Sequence, residues 1–247
     1  MAKSSGLGSN LYVAQYDISG DVGALSACET SRALLDVTGI DKSAFERVLG
    51  RKDGSITFDG FWNTATDQAH LALSSMPTTD RIVSFFQAAG TVGNAAASLT
   101  AKQINYAPTF GDDGSLVISV NALANGYGLE WGEALTAGKQ SFATGTVSGT
   151  SIDLGSTSTL FGAAAYLHVF SVASGTATFT VQDSANDTDF LAVTGMAFTG
   201  ATGATSERVQ GAVNATVRRY VRIQGSGVHG AAVVAVNFVR YLEDPSV

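Results

Sequence analysis

Apolar and polar residues alternate with a period of two over several short stretches, the pattern of strands that bury one face. Ile56 and Phe58 alternate with Ser55, Thr57 and Asp59, and Leu116, Ile118 and Val120 with Ser115 and Ser119. Ala177, Phe179 and Val181 do the same among Thr176, Thr178, Thr180 and Gln182. Strands are also expected from Leu11 onward and at 34–38, 81–86, 97–106, 129–136, 166–172, 216–224 and 231–241. The last is apolar on both faces, which predicts a central place in its sheet. Asp112-Asp113-Gly114 reads as a hairpin turn between residues 104–108 and 116–123.

Two segments depart from the strand pattern. Residues 63–76 predict the one good helix: Asn63 or Thr64 can cap it, Ala65, Ala69, Leu71, Ala72 and Leu73 favour it, and Pro77 stops it. Residues 39–54 form a long polar excursion between strands 34–38 and 55–61. It holds Asp41, Lys42, Glu46, Arg47, Arg51, Lys52 and Asp53 and closes on a Lys-Asp-Gly turn signal.

Around 143–152 the text becomes an uncharged Gly/Ser/Thr stretch, read as a linker. Beyond it the chain has five Arg and no Lys, and its short strands suit a small antiparallel sandwich. The expected organisation is a flexible arm at 1–10, a β domain at 11–142, the linker, and a second β domain at 153–247. The fold class is all-β: a β-sandwich or barrel with one packed α-helix, followed by a second small antiparallel β-sandwich.

Composition sharpens this. Charged residues make up 14% of the 247, with 28 Gly and 3 Pro, which suits short strands, tight turns and much surface buried against other subunits. The net charge of −7 speaks against a protein that grips phosphate backbones. A single cysteine, Cys28, forms no internal disulfide and is expected to be half-buried. No apolar run reaches the ~18 residues of a membrane-spanning helix. The first ten residues lack the apolar centre of a signal peptide, so synthesis in the cytoplasm is expected.

Candidate chemistry is sparse. His70, His168 and His229 have no Cys, Asp or Glu at metal-ligand spacing, no nucleophile elbow or phosphate loop is present, and neither cofactor nor enzymatic activity is expected. Asp183, Asp187 and Asp189 offer oxygens to a cation, although an exposed acidic turn is the favoured reading. Arg218, Tyr220 and Arg222 would share one face of a strand, a patch fit for a glycan, nucleic acid or a neighbouring subunit; a solvated sheet face is the plainer reading.

The text over 15–63 carries a resemblance. Asp17-Ile18-Ser19-Gly20-Asp21-Val22, Val37-Thr38-Gly39, residues 44–49 and Lys52-Asp53-Gly54-Ser55-Ile56-Thr57-Phe58-Asp59-Gly60-Phe61 together resemble the major tail tube proteins of siphophages. Ala101-Lys102-Gln103-Ile104-Asn105-Tyr106 and Asn125-Gly126-Tyr127-Gly128-Leu129-Glu130-Trp131-Gly132 extend the similarity over roughly 10–140. Residues 153–247 look like the extra β domain that several such proteins append, on Val217-Arg218-Arg219-Tyr220-Val221-Arg222 and Val181-Gln182-Asp183-Ser184.

The resemblance implies a virion protein, assembled in the host cytoplasm, whose copies close an inner barrel within a hexameric ring, or a ring of three with duplicated modules. Rings would stack into a tube that DNA transits without specific binding. The excursion at 39–54 would be the inter-ring loop, and Asp17, Asp59 and Asp113 are candidates for the lumen or the outer surface. Partners implied are the chain itself, a tape measure protein, a tail terminator and a distal tail protein; the appended domain would project outward, to bind a host-surface glycan or to clamp neighbours. Alternatives are a capsid decoration or fibre protein, or a carbohydrate-binding adhesion protein.

Overall fold

The computed structural model describes residues 5–155 and 158–245. Of the expected N-terminal arm, residues 1–4 lie outside this range. Next to it, Ala89 N–H donates to the Gly8 carbonyl and Ala88 N–H to Ser9 Oγ.

Eighteen strands and one short helix follow in order: β1 (Asn10–Val13), β2 (Tyr16–Asp17), β3 (Val22–Asp36), β4 (Arg47–Phe61), α1 (Ala69–Leu73), β5 (Arg81–Phe86), β6 (Ala95–Gln103), β7 (Ala107–Phe110), β8 (Leu116–Ala124), β9 (Glu130–Ala134), β10 (Gln140–Phe142), β11 (Val147–Ser148), β12 (Ile152–Asp153), β13 (Ala163–Val172), β14 (Thr178–Ser184), β15 (Leu191–Ala197), β16 (Thr205–Gln210), β17 (Tyr220–Ser226) and β18 (Ala232–Arg240). Every named pairing is antiparallel. The protein is mainly β, as the alternating pattern predicts.

A large sheet runs β16-β13-β18-β9-β6-β5-β1-β2, and a second has the order β11-β17-β14-β15 with β12 also on β17. Strand β6 forks: Ala95 to Ser98 pair with β9, and Ala101 to Gln103 with β8, which carries the β3–β4 hairpin and β7. Curled on itself, the N-terminal part buries Leu11, Ile18, Ile56, Phe58, Leu73, Leu99 and Ile118 in one core. The C-terminal core lies between the β13–β18 end of the large sheet and the second sheet, around Phe142, Phe179, Met196, Ile223 and Phe238.

Strand β18 sits between β13 on one side and β9 and β10 on the other, the central place that its two apolar faces predict. Val234, Val236 and Phe238 join the C-terminal core. On the opposite face Ala235 packs with Tyr12, Phe86 and Ala134, and Val239 with Ile82 and Tyr166. Residues 143–152, read from composition as a linker, contain β11 and lead into β12, and both strands pair with β17. Hydrogen bonds thus run from one sandwich into the other through β9 and β18.

Two local expectations are corrected. The helix is not residues 63–76 but Ala69–Leu73. Asp67 at φ 61 breaks the preceding turn, and the helix start is capped from afar: Ala69 N–H donates to Asp21 Oδ2 at 2.9 Å, while Asn63 Nδ2 holds Asp21 Oδ1 at 2.8 Å. The second half of the excursion at 39–54 is strand, since β4 begins at Arg47 and only residues 37–46 connect it to β3. The Lys52-Asp53-Gly54 text is ladder, with Gly54 opposite Thr30. A Cβ at Gly54 would lie 2.5 Å from Leu129 Cβ and 2.6 Å from Leu129 N, so the glycine serves close approach of the 124–130 loop and not a turn.

Candidate functional site

The β3–β4 hairpin is the most distinctive surface feature. Both strands have 15 residues, and the register brings Arg32 opposite Lys52, Leu34 opposite Leu49, Leu35 opposite Val48 and Asp36 opposite Arg47. Because successive side chains of a strand point to opposite faces, Leu34 with Leu49 and Leu35 with Val48 make both faces of the distal ribbon apolar. All four are more than half exposed, and Val37, Ile40 and Phe45 continue the bare apolar surface around the tip. The sequence reading saw the charges here and overlooked this apolar content.

The predicted charged residues divide between tip and strand. Asp41, Lys42 and Glu46 lie in the connection, where Lys42 Nζ and Glu46 Oε1 are 3.4 Å apart. Arg47 opens β4 with its guanidinium 4.7 Å from the Phe45 ring centroid. Arg51, Lys52 and Asp53 stand further down, where the hairpin meets the 124–130 loop; Asp53 Oδ1 accepts from Gly54 N–H.

There the hairpin forms one wall of a cleft of about 730 Å³, lined also by Tyr127, Val239, Tyr241 and Pro245. At its inner end Glu130, itself a lining residue, is held by four donors: Oε1 by the Tyr241 hydroxyl at 2.6 Å, and Oε2 by the Tyr166 hydroxyl and by Arg208 Nε and Nη2 at 3.2 and 2.9 Å. The Arg208 guanidinium carbon sits over the Tyr127 ring, 3.6 Å from its centroid, and Arg208 bonds Gln210 Oε1 at 2.9 Å. Burial, then the Glu130 charge, pushes both tyrosine hydroxyls far above their ordinary range. Burial opposes the Arg208 charge, but Tyr166 and Glu130 outweigh it and raise that guanidinium further. Lys52 Nζ donates to the Pro245 carbonyl at 2.6 Å. Its ammonium is pushed below the ordinary lysine range by burial first and by Arg32 second, against the pull of Glu130 and Asp244.

Sequence reasoning missed this cluster. Arg208, Tyr166 and Tyr241 stand 78, 36 and 111 positions from Glu130, and no local pattern announces a contact at such separations. The one available signal was the unusual Asn-Gly-Tyr-Gly-Leu-Glu-Trp-Gly text that contains Tyr127 and Glu130.

On the second sheet, Tyr220 and Arg222 share the outer face of β17 with Gln224, while Arg218 precedes the strand. Arg218 serves the turn below, its N–H donating to Asp183 Oδ2 at 2.8 Å and its Nη1 standing 3.6 Å from Oδ1. Arg222 stacks on Phe190 at 3.9 Å and bonds Gln182 Oε1 at 2.9 Å. The cation over Tyr220 is Arg219, at 5.0 Å, which also grips Asp153 through two bonds of 2.7 and 2.6 Å.

The acidic candidates disperse. Asp183 is buried, and that burial raises its carboxyl against the Arg218 bonds; Asp187 occupies a turn at φ 60; Asp189 accepts from Asn186 Nδ2. Asp17 pairs with Lys139 at 2.6 Å, Asp59 accepts from Ser26 Oγ, and Asp113 shapes the β7–β8 turn by accepting from Ser115 N–H. Among the described residues no three His, Cys, Asp or Glu gather into a metal site, and no helix is long and apolar enough to cross a membrane.

His70 packs against Trp62, its ring tilted by 34°, and contacts the Tyr106 hydroxyl, and His229 lies in a turn with Nδ1 against the Gly230 carbonyl. His168 is fully buried at the junction of the two sandwiches. Cys28 is half-buried as expected, and burial pushes its thiol up to about 11, which keeps it protonated and unreactive at neutral pH.

No protein-family model matches the chain, and no curated protein matches it. Among solved structures it is similar to the SPP1 Dit (gp 19.1) protein, described as a paradigm of the hub adsorption apparatus in phages that infect Gram-positive hosts. That likeness covers 94% of this chain and 99% of the other, at 11% identity and a TM-score of 0.32.

Proposed function

We propose that this chain is a structural phage tail protein whose copies assemble into stacked, six-membered rings around a conduit for DNA, with no catalytic role. The observation that carries the reading is the distal β3–β4 hairpin, a two-stranded ribbon apolar on both faces and covered on neither. A lone two-stranded ribbon is marginal in water, and bare apolar surface of this kind marks a contact with another molecule. The resemblance of residues 10–140 to tail tube proteins supplies the partner: further copies of the same chain. The mixed charges of Asp41, Lys42, Glu46 and Arg47 at the tip suit a polar fringe around that contact. Residues 153–247 would turn their second sheet outward, where the paired polar side chains of β14 and β17 suit solvent.

Negative-stain electron microscopy of the purified protein at rising concentration tests this, beside a variant in which residues 37–46 are replaced by a two-residue turn. Hollow rings or tubes from the intact chain, lost in the shortened one, are expected. Discrete small particles from the intact chain at every concentration would remove the reading.

A further inference from the structure

Strand β8 separates two features of opposite charge. At its start, the β7–β8 turn presents exposed Asp112 and Asp113 beside Phe110, which is 72% exposed. No Lys or Arg occurs between Lys102 and Lys139, and neither aspartate takes part in a described ion pair. At the far end of these nine residues, ~30 Å away at about 3.3 Å per residue, lies the cleft under the hairpin.

The cleft is positive on an acidic protein. Arg32, Arg51 and Lys52 line it with Glu130 as the one lining carboxylate, and Asp244 is close enough to act on Lys52. Glu130 is engaged by four donors, with Arg208 behind it balancing most of its charge. Arg32 and Lys52 stand directly opposite each other in the ladder, which gathers positive charge on this wall. The floor supplies aromatic surface, since Tyr127 remains 46% exposed with Arg208 against its ring.

We propose that the Asp112–Asp113 turn of one copy enters this cleft on the next copy, with its two carboxylates on Arg51 and Lys52 and Phe110 against the Tyr127 and Tyr241 rings. A wall of three cations meets a turn that carries two negative charges. Turn and cleft lie at opposite ends of β8 and do not meet within one chain. The contact is therefore head-to-tail, the kind that generates closed rings or open stacks rather than isolated dimers. It rests on the reading that copies of this chain associate, and it names the surfaces through which they do so, apart from the β3–β4 tip.

The test uses the full chain with Asp112→Lys, with Lys52→Glu, and with both together, followed by sedimentation velocity and electron microscopy at rising concentration. Each single reversal is expected to raise the concentration for half-assembly by about tenfold, and the double variant to return it to within about threefold of the parent. Where Lys52→Glu lowers the thermal midpoint, Arg51→Glu takes its place, since Arg51 is exposed. Singles that assemble like the parent, or a double variant no better than the singles, overturn the contact while leaving ring assembly standing. A parent chain that stays monomeric at every concentration overturns both.

Discussion

His168 Nε2 lies 2.7 Å from Ser84 Oγ, and this contact ties the C-terminal sandwich to the N-terminal one by a hydrogen-bond chain with a single consistent direction. Asn237 Nδ2 donates to Ser98 Oγ at 2.8 Å, Ser98 and Ser84 share a hydrogen bond of 2.6 Å, and the other ring nitrogen of His168 faces the Ala14 carbonyl at 2.6 Å. A carbonyl only accepts, so Nδ1 carries the proton and Nε2 receives one from Ser84; Ser98 then donates to Ser84 and accepts from Asn237. The donation from Ser84 to Nε2 needs a neutral imidazole. A protonated ring would donate from both nitrogens and force the Ser84 hydroxyl proton away from Nε2.

Stability should therefore fall in mild acid. Burial pushes His168 down to about 4 from 6.5, with the Ala14 carbonyl opposing. Because the folded value lies below the unfolded one, the unfolded chain takes up the proton first. The His168 contribution is complete above about pH 6.5 and is lost as pH falls toward 4, on the order of 3 kcal/mol in all. Denaturant melts of the parent and of His168→Gln between pH 7 and 4 check this. The parent curve should drop more steeply, and parallel curves would show that the ring is solvated.

Removal of the Arg208 guanidinium should be costly. Arg208→Ala leaves the Glu130 carboxylate, whose side chain is 15% exposed, with its tyrosine donors alone. A loss of about 3 kcal/mol is expected, with a smaller loss when Glu130→Gln accompanies it, because the stranded charge is then gone. Urea unfolding of the two singles and the double gives the cycle, and additive losses would count against the coupling.

Gly54→Ala should destabilise by roughly 1–3 kcal/mol, because the added carbon runs into the backbone and side chain of Leu129. Gly20→Ala, with open space around it, serves as the control and should shift the thermal midpoint little. Equal effects at the two positions would mean that the hairpin does not press on the 124–130 loop.

Folding and association should separate at the hairpin tip. Phe45→Ser together with Leu49→Ser touches no core, so the unfolding free energy should stay within about 0.5 kcal/mol per site. Assembly should nevertheless require a higher concentration, read by sedimentation. A large stability loss with unchanged assembly would move the apolar ribbon from interface to core.

The strand pattern was legible wherever one face is buried and the other wet, as in β8 and β14, and where both faces are buried, as in β18. It failed where neither condition holds. The distal parts of β3 and β4 are exposed on both faces, so their alternation carries no burial signal, and Gly54 reads locally as a turn although its purpose is contact with Leu129. Residues 63–68 have helical composition, yet the helix starts where Asp21, 48 residues earlier, offers its carboxylate. The same distance effect hid the cleft: Tyr127 and Glu130 stood in a recognisable text, while no local pattern singled out Arg208.

The place of β18 in the sheet also bears on how the protein is made. This strand leaves the ribosome after all of its partners, yet it fills the gap between β13 and the β9–β10 edge. During synthesis at about 5–20 residues per second, the edges of β9, β10 and β13 stay open for seconds while the remaining strands emerge. A nascent chain in that interval presents unpaired ladders to its neighbours on the same polysome. Dense translation thus favours mispairing between chains, and slower initiation should raise the soluble yield.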